Sequence, residues 1–215
     1  MVEAPLSIVW RCALDVTGYA AAGQQVVVPP QTCPECGRRL GWWSGYWRWA
    51  RAQRTGEQRV WIRRGRCTPC RRSHALLPDV LLIQRLDAVE TIGHGLALAV
   101  GGLGLRAVAR HVDVPHTTIR SWWRRFRVRS PTLVAALVAL AVGLDPAPVV
   151  LGADGDAAAL AALAVAWQRA RARWGERVGG VWRFWSRVTG GRALGTTTTA
   201  PLAGSGPAGW IAPSR

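Results

Sequence analysis

The chain has 215 residues, with 28 Lys+Arg against 12 Asp+Glu, a formal net charge of +16 and 49% hydrophobic residues. This balance excludes an acidic or wholly disordered chain, and the length suits one or two domains better than a large enzyme fold. All the basic residues are arginine, as a GC-rich coding background would give. Even so, an excess of this size favours an anionic partner, because neutralising phosphates releases condensed counterions.

Residues 1–30 form an N-terminal segment with no cationic start, and Arg11 interrupts its apolar run, so no secretory signal is expected. The expected location is the cytoplasm. Val26-Val27-Val28 reads as a short strand stopped by Pro29-Pro30. Residues 31–78 then form a small β-rich module, with Val60-Trp61-Ile62 as a second strand-like run.

The module is framed by Cys33-Pro34-Glu35-Cys36 and, after 30 residues, Cys67-Thr68-Pro69-Cys70. A C-x2-C turn places two thiolates on one side of a metal, and a second turn brought back by a hairpin completes a tetrahedral zinc shell. The intervening stretch exceeds the usual spacing, so a hairpin with an enlarged loop is expected, in the manner of a zinc ribbon. Disulfides compete with this reading, but they rarely persist in a reducing compartment. Four thiolates make Zn²⁺ a closed, structural site whose charge Arg38, Arg39, Arg66, Arg71 and Arg72 can offset. His74 is a reserve ligand in principle, although a surface or capping role is simpler. Cys12 reads as a small buried hydrophobe.

Between the knuckles, Gly41-Trp42-Trp43-Ser44-Gly45-Tyr46-Trp47-Arg48-Trp49 interleaves aromatics with arginine. Two readings stand: the rings stack exposed bases, with Arg48, Arg51 and Arg54 on a phosphate backbone, or they fill the core of a module short of aliphatic residues. The core reading is preferred, leaving Arg51, Arg54, Arg59, Arg63 and Arg64 as phosphate contacts.

From Asp79 the pattern turns helical. Asp87 and Glu90 suggest a capping box, and Gly101-Gly102 a stop. Further helices are expected over Leu105–Val112 and from His116 to about Arg127, with Asp113-Val114-Pro115 as the turn. Residues 79–129 therefore read as a helix-turn-helix DNA-binding domain, in which Val108, Val112, Val114, Ile119 and Trp122 touch where two helices cross. Arg106 to Arg129 carries 7 Arg against the single acid Asp113. Ser130-Pro131 reads as a linker or helix start, followed by a C-terminal helical region, 130–194. Asp145-Pro146-Ala147-Pro148 breaks that region, Asp156 caps a helix to about Trp174, and residues 181–188 make a last short segment. Residues 195–215 read as a disordered tail.

The turn and its flanking helices resemble the DNA-binding segment of bacterial regulators and transposases, with Asp113 where Gly is usual. Together with the stretch Arg64-Gly65-Arg66-Cys67-Thr68-Pro69-Cys70, residues 26 to 127 resemble the N-terminal half of insertion-sequence transposases. They are closer still to a family of helix-turn-helix proteins from high-GC bacteria that carry only this half. The resemblance implies a recognition helix from His116 to Arg127, entering the major groove by its N-terminal end. His116, Thr117, Arg120 and Ser121 would face base edges, and Thr118, Arg124, Arg125 and Arg127 would meet phosphates. The carboxylate triad of a transposase nuclease is not found: after Arg129 only Asp145, Asp154, Asp156 and Glu176 are acidic.

The expected fold is thus mainly α with a small N-terminal β-rich zinc ribbon, then a three-helix helix-turn-helix unit and additional C-terminal helices. The expected function is non-enzymatic: a cytoplasmic, nucleoid-associated DNA-binding protein with structural Zn²⁺, acting in transcription regulation or with a transposase. Double-stranded DNA is the expected partner, a homodimer through the C-terminal helices a further one, and a membrane none. The alternative is an RNA-binding or protein-scaffolding zinc-ribbon module without sequence-specific duplex recognition.

Overall fold

The computed structural model describes residues 7–53 and 55–195. The tail expected to be disordered lies outside them, apart from Gly195, as does Arg54. The first half of the described chain builds a four-stranded mixed sheet in the order β1-β4-β3-β2, from β1 (Ser7–Trp10), β2 (Gly41–Ala52), β3 (Gly56–Arg66) and β4 (Ser73–Pro78). β2, β3 and β4 run antiparallel in turn, whereas β1 joins β4 in parallel, pairing Ser7 with Ala75 and Trp10 with Pro78. A parallel neighbour needs a long crossover, here everything from α1 (Val16–Ala22) through the β2–β3 hairpin to the second knuckle. Asp15 caps α1, its carboxylate accepting from the Gly18 N–H at 2.7 Å. Trp10, Tyr19, Val60, Ile62, Leu76 and Leu81 fill the core of this half.

The expected strand at Val26–Val28 does not form. Val26 and Val28 are buried and Val27 is exposed, so the alternation is real, but among the described residues no ladder partner pairs with it. The enlarged loop is also absent. Long, regular strands take up the spacing between the knuckles, pairing Gly41 with Arg66 at one end and Ala52 with Gly56 at the other.

The helical half follows: α2 (Val89–Val100), α3 (Leu105–Val112), α4 (His116–Leu144), α5 (Gly155–Trp174) and α6 (Val181–Val188). Asp87 makes no capping box; the N-cap is Ala88, and Asp87 instead binds Arg51 at 2.7 Å. The expected mainly-α fold, with a small ribbon and a separate three-helix unit, is therefore overturned in two ways. The β portion is a mixed sheet with its own covering helix, and the third helix does not stop near Arg127. It runs for 29 residues in all, from His116 through Pro131 to Leu144. Ile92, Leu96, Val108, Val112, Ile119, Trp122 and Phe126 belong to one apolar core with residues of α5 and α6, so no three-helix unit stands alone.

Pro131 removes one N–H donor from the interior of α4, which ordinarily breaks a helix. Here the break is spanned from outside. Ser130 Oγ lies 3.0 Å from the Phe126 carbonyl and 2.9 Å from the Asp156 carboxylate, and Arg127 pairs with the other oxygen of Asp156 at 3.0 Å. Asp156 thus fastens the start of α5 to α4, and the N-cap of α5 is Asp154. Beyond Pro131, Leu133, Leu137, Ala141 and Leu144 are buried in one core with Leu163 and a stripe of Ala159, Ala162, Ala166 and Ala170, whose small side chains allow close approach. At the C-terminal end of α4, Arg169 of α5 donates to Ala141 O at 3.0 Å and to Asp145 O, just beyond the helix, at 2.6 Å. Among the described helices α4 alone is long and apolar enough to cross a membrane by length and composition, with a third of that window buried.

Side-chain ties join the two halves. Arg187 of α6 pairs with Asp79 after β4, Arg183 donates to the Cys12 carbonyl at 2.9 Å, and Ser186 Oγ donates to Leu81 O at 2.9 Å, while Arg183 also binds Glu90 of α2 at 2.8 Å within the helical half.

Candidate metal centre and basic helix face

The two knuckles are built alike. In the first, Cys33 N donates to Arg38 O at 2.8 Å; in the second, Cys67 N donates to Arg72 O at 2.8 Å. The residue after the second cysteine takes a left-handed backbone in both, Gly37 at φ 69° and Arg71 at φ 54°. Glycine does this freely and arginine at some cost, so the turn is imposed on Arg71 by what the cysteines must do.

The four sulfurs lie within 4.8 Å of one another, with Cys36–Cys67 at 3.4 Å and Cys33–Cys70 at 3.9 Å. Tetrahedral ligation at about 2.3 Å requires sulfurs about 3.8 Å apart, so the cluster fits a metal ion with little adjustment. The electrostatics point the same way. The Arg38 N–H holds the Cys36 thiol down at about 7, helped by Cys70 and Cys67. Burial opposes ionisation of Cys33, yet the N–H groups of Cys36 and Glu35 outweigh it and leave that thiol below its ordinary range. Cys70 is pushed up by Cys36 and then by Cys67. Four thiols this close cannot all ionise unless a cation stands among them.

His74 is neither a surface residue nor a helix cap. It is buried, with Nε2 3.8 Å from Cys33 Sγ, where it backs a ligand sulfur instead of replacing one. Of the arginines expected to offset the site's charge, Arg72 pairs with Glu35 and Arg66 lies over the Trp43 ring. Cys12 is buried, as expected of a small hydrophobe, and burial pushes its thiol up.

The preference for a tryptophan-filled core is corrected. Trp42, Trp43 and Trp49 are 58%, 56% and 54% exposed, and Tyr46 and Trp47 are also exposed. β2 is the edge strand and has no larger sheet beyond it to bury its aromatics. Aliphatic residues from β3, β4 and the following loop fill the core instead. Several expected phosphate contacts are otherwise engaged: Arg48 donates to the Arg85 carbonyl, Arg51 binds Asp87, and Arg64 donates to Ser73 Oγ at 2.7 Å.

The α3–α4 turn places Asp113 at φ 54° and ψ 51°, the left-handed conformation that Gly provides elsewhere and that Asp tolerates well. From there α4 buries Ile119, Trp122 and Phe126. On its other side Thr117, Arg120, Arg124 and Arg127 are exposed, while His116, Thr118, Ser121 and Arg125 are half-buried. Thr117, Arg120, Ser121 and Arg124 line a shallow groove of about 700 Å³ together with Leu105, Trp123, Arg127, Val128 and Asp156. Arg125 is turned along the helix, 3.4 Å from Ser121 Oγ, and Arg127 is tied to Asp156. Arg106 and Arg110 on α3 are exposed as well. Among the described residues none of Arg106, Arg110, Arg120 and Arg124 forms an ion pair.

A family model described as Domain of unknown function (DUF6431) matches residues 33–102, from the first metal-site cysteine to the end of α2. The matched part holds the four cysteines and the tryptophan strand but not α3 or α4. No curated protein and no solved structure matches the chain.

Proposed function

We propose that the chain is a non-enzymatic, DNA-binding protein in which a structural Zn²⁺ pins the β2–β3 hairpin and the first half of α4 lies against duplex DNA. The observation that carries this reading is the face of Thr117, Arg120 and Arg124, solvent-facing, free of carboxylate partners among the described residues, and held by a buried stripe on the opposite side of the same helix. Unpaired guanidinium groups on a rigid element meet phosphates and guanine edges without first giving up an internal partner. His116, Thr117, Arg120 and Ser121 would approach the bases. Arg124 and Thr118 would meet the backbone, with Arg125 and Arg127 reaching it only after leaving Ser121 and Asp156.

Four sulfur ligands leave no open position on the ion, so its part is to hold the knuckles together. Transcription regulation and a role beside a transposase both follow from the same surface, since each needs a duplex to be held.

The test is fluorescence anisotropy with a labelled duplex across a salt series. The wild-type chain should bind with an affinity that falls linearly in log salt. The Arg120→Ala/Arg124→Ala chain should lose affinity and a slope of about 0.9, that of the one phosphate contact made by Arg124. Unchanged affinity and slope in that variant, with its metal content intact, would remove the reading.

A further inference from the structure

We propose that the outer edge of β2 is a second nucleic-acid site, one that takes an unpaired DNA strand by stacking its bases on Trp42, Trp43 and Trp49. Three features of the hairpin carry this inference, and none involves α4.

The first is what the rings do. A sheet of this size has aliphatic residues enough to fill its core, and the three rings lie outside that core, more than half exposed. Two of them, and Trp47 between them and Trp49, are also held in place. Arg63 lies over Trp42 at 4.7 Å, Arg66 over Trp43 at 4.3 Å, and Arg59 over Trp47 at 5.3 Å. A guanidinium stacked on an indole keeps its N–H fork at the rim of the ring, where a phosphate can meet it. Each such pair therefore offers a flat apolar face beside a donor for an anion, the two needs of a nucleotide that is out of its stack.

The second is charge. Residues 41–66 contain seven arginines and one acid, Glu57, a net +6, and Glu57 lies 3.8 Å from Arg51. A second copy of the chain docking edge to edge would set one +6 hairpin against another, which argues against β2 as a dimer seam. A polyanion has no such cost. The third is shape. Among the described residues no strand pairs with the outer edge of β2 from Trp42 to Trp49, a run of about 24 Å at 3.4 Å per residue. A duplex keeps its base faces inside the stack and gives these rings nothing to cover. An unpaired strand exposes them. Among the exposed positions of the run only Ser44 carries a hydroxyl besides Tyr46, so little is present to read a ribose 2′-OH, and DNA suffices as the ligand.

The experiment uses the full-length, metal-loaded chain and fluorescein-labelled dT20, with rU20, a 20-base-pair duplex and poly-glutamate as comparators. Trp42→Ala/Trp43→Ala/Trp49→Ala should weaken dT20 binding by about tenfold or more while changing duplex binding by less than about threefold. The Arg120→Ala/Arg124→Ala chain should do the reverse, so failure here and failure of the α4 reading give different patterns. Replacing the three tryptophans by Phe should retain most of the dT20 affinity, and replacing them by Leu should lose it, which separates stacking from folding if the alanine chain is unstable. Three results would overturn the proposal: the alanine or leucine chain binding dT20 as the wild type does, poly-glutamate competing as well as dT20, or rU20 binding more than tenfold tighter than dT20.

Discussion

Removing the Asp79 carboxylate by Asp79→Ala should be among the most damaging single changes in the chain. The Asp79 side chain is fully buried and Arg187 is 2% exposed, so the pair has left water entirely. Asp79 accepts from Arg187 with one oxygen and from the Cys12 N–H at 3.1 Å with the other, and Arg187 also donates to the Val178 carbonyl. Burial pushes the Asp79 carboxyl up against the pull of Arg187, and burial likewise pushes Arg187 down, so each charge is tolerated only because of its partner. Taking one partner away strands the other, which costs about 3–5 kcal/mol. For a chain of this length about 2–4 °C of melting temperature accompanies each kcal/mol, so the midpoint should fall by about 6–20 °C. Asp79→Leu/Arg187→Met should recover much of that loss, because a buried pair is often worth no more than apolar packing of the same volume. Circular dichroism melts of the metal-loaded chains measure both. A single variant melting within about 2 °C of the wild type, or a double variant no better than the single, would refute the reasoning.

Arg71→Gly should stabilise the metal-loaded chain by about 1 kcal/mol, since it relieves a left-handed backbone that its counterpart Gly37 adopts freely; a lower melting temperature would count against that account of the knuckle. Iodoacetamide at neutral pH should label no cysteine in the metal-loaded chain and the four knuckle cysteines after chelation, with Cys36, whose thiol is held near 7, reacting first. Cys12, buried and pushed up, should react only on unfolding, and mass spectrometry of the alkylated peptides reads the order. Gly45→Ala places a Cβ 2.3 Å from the Trp61 ring and Gly93→Ala one 2.1 Å from the Trp182 ring, so each should cost about 1–3 kcal/mol in denaturant titrations. Only the first should also change tryptophan fluorescence at the Trp47–Trp61 pair, whose rings are 5.2 Å apart.

The parts of this protein that its sequence determines by itself are those where cause and effect lie a few residues apart. Two C-x2-C turns can close on one ion because each turn is complete within six residues, and their sulfurs do converge. The bounds of α3, the start of α4 and the left-handed Asp113 follow from apolar spacing and from a short polar side chain at a turn. The glycine stop after α2 is of the same kind.

The rest depends on partners far along the chain. β1 is four residues that are a strand only because β4 lies beside them. Val26–Val28 has strand character but no strand partner among the described residues. Pro131 would end an isolated helix, yet α4 persists because an alanine-lined α5 covers it and Asp156, twenty-five residues on, fastens the weakened turn. Asp87 and Asp156 sit where a cap is expected but face arginines from other elements, and a charge-assisted bond outweighs a cap. The tryptophans of β2 read as core in preference to surface, and the sheet order, which makes theirs the outermost strand, leaves them exposed. Propensity and spacing act through neighbours in sequence. Which face is buried, and which break in a helix survives, is decided by surfaces that meet only after the chain has folded.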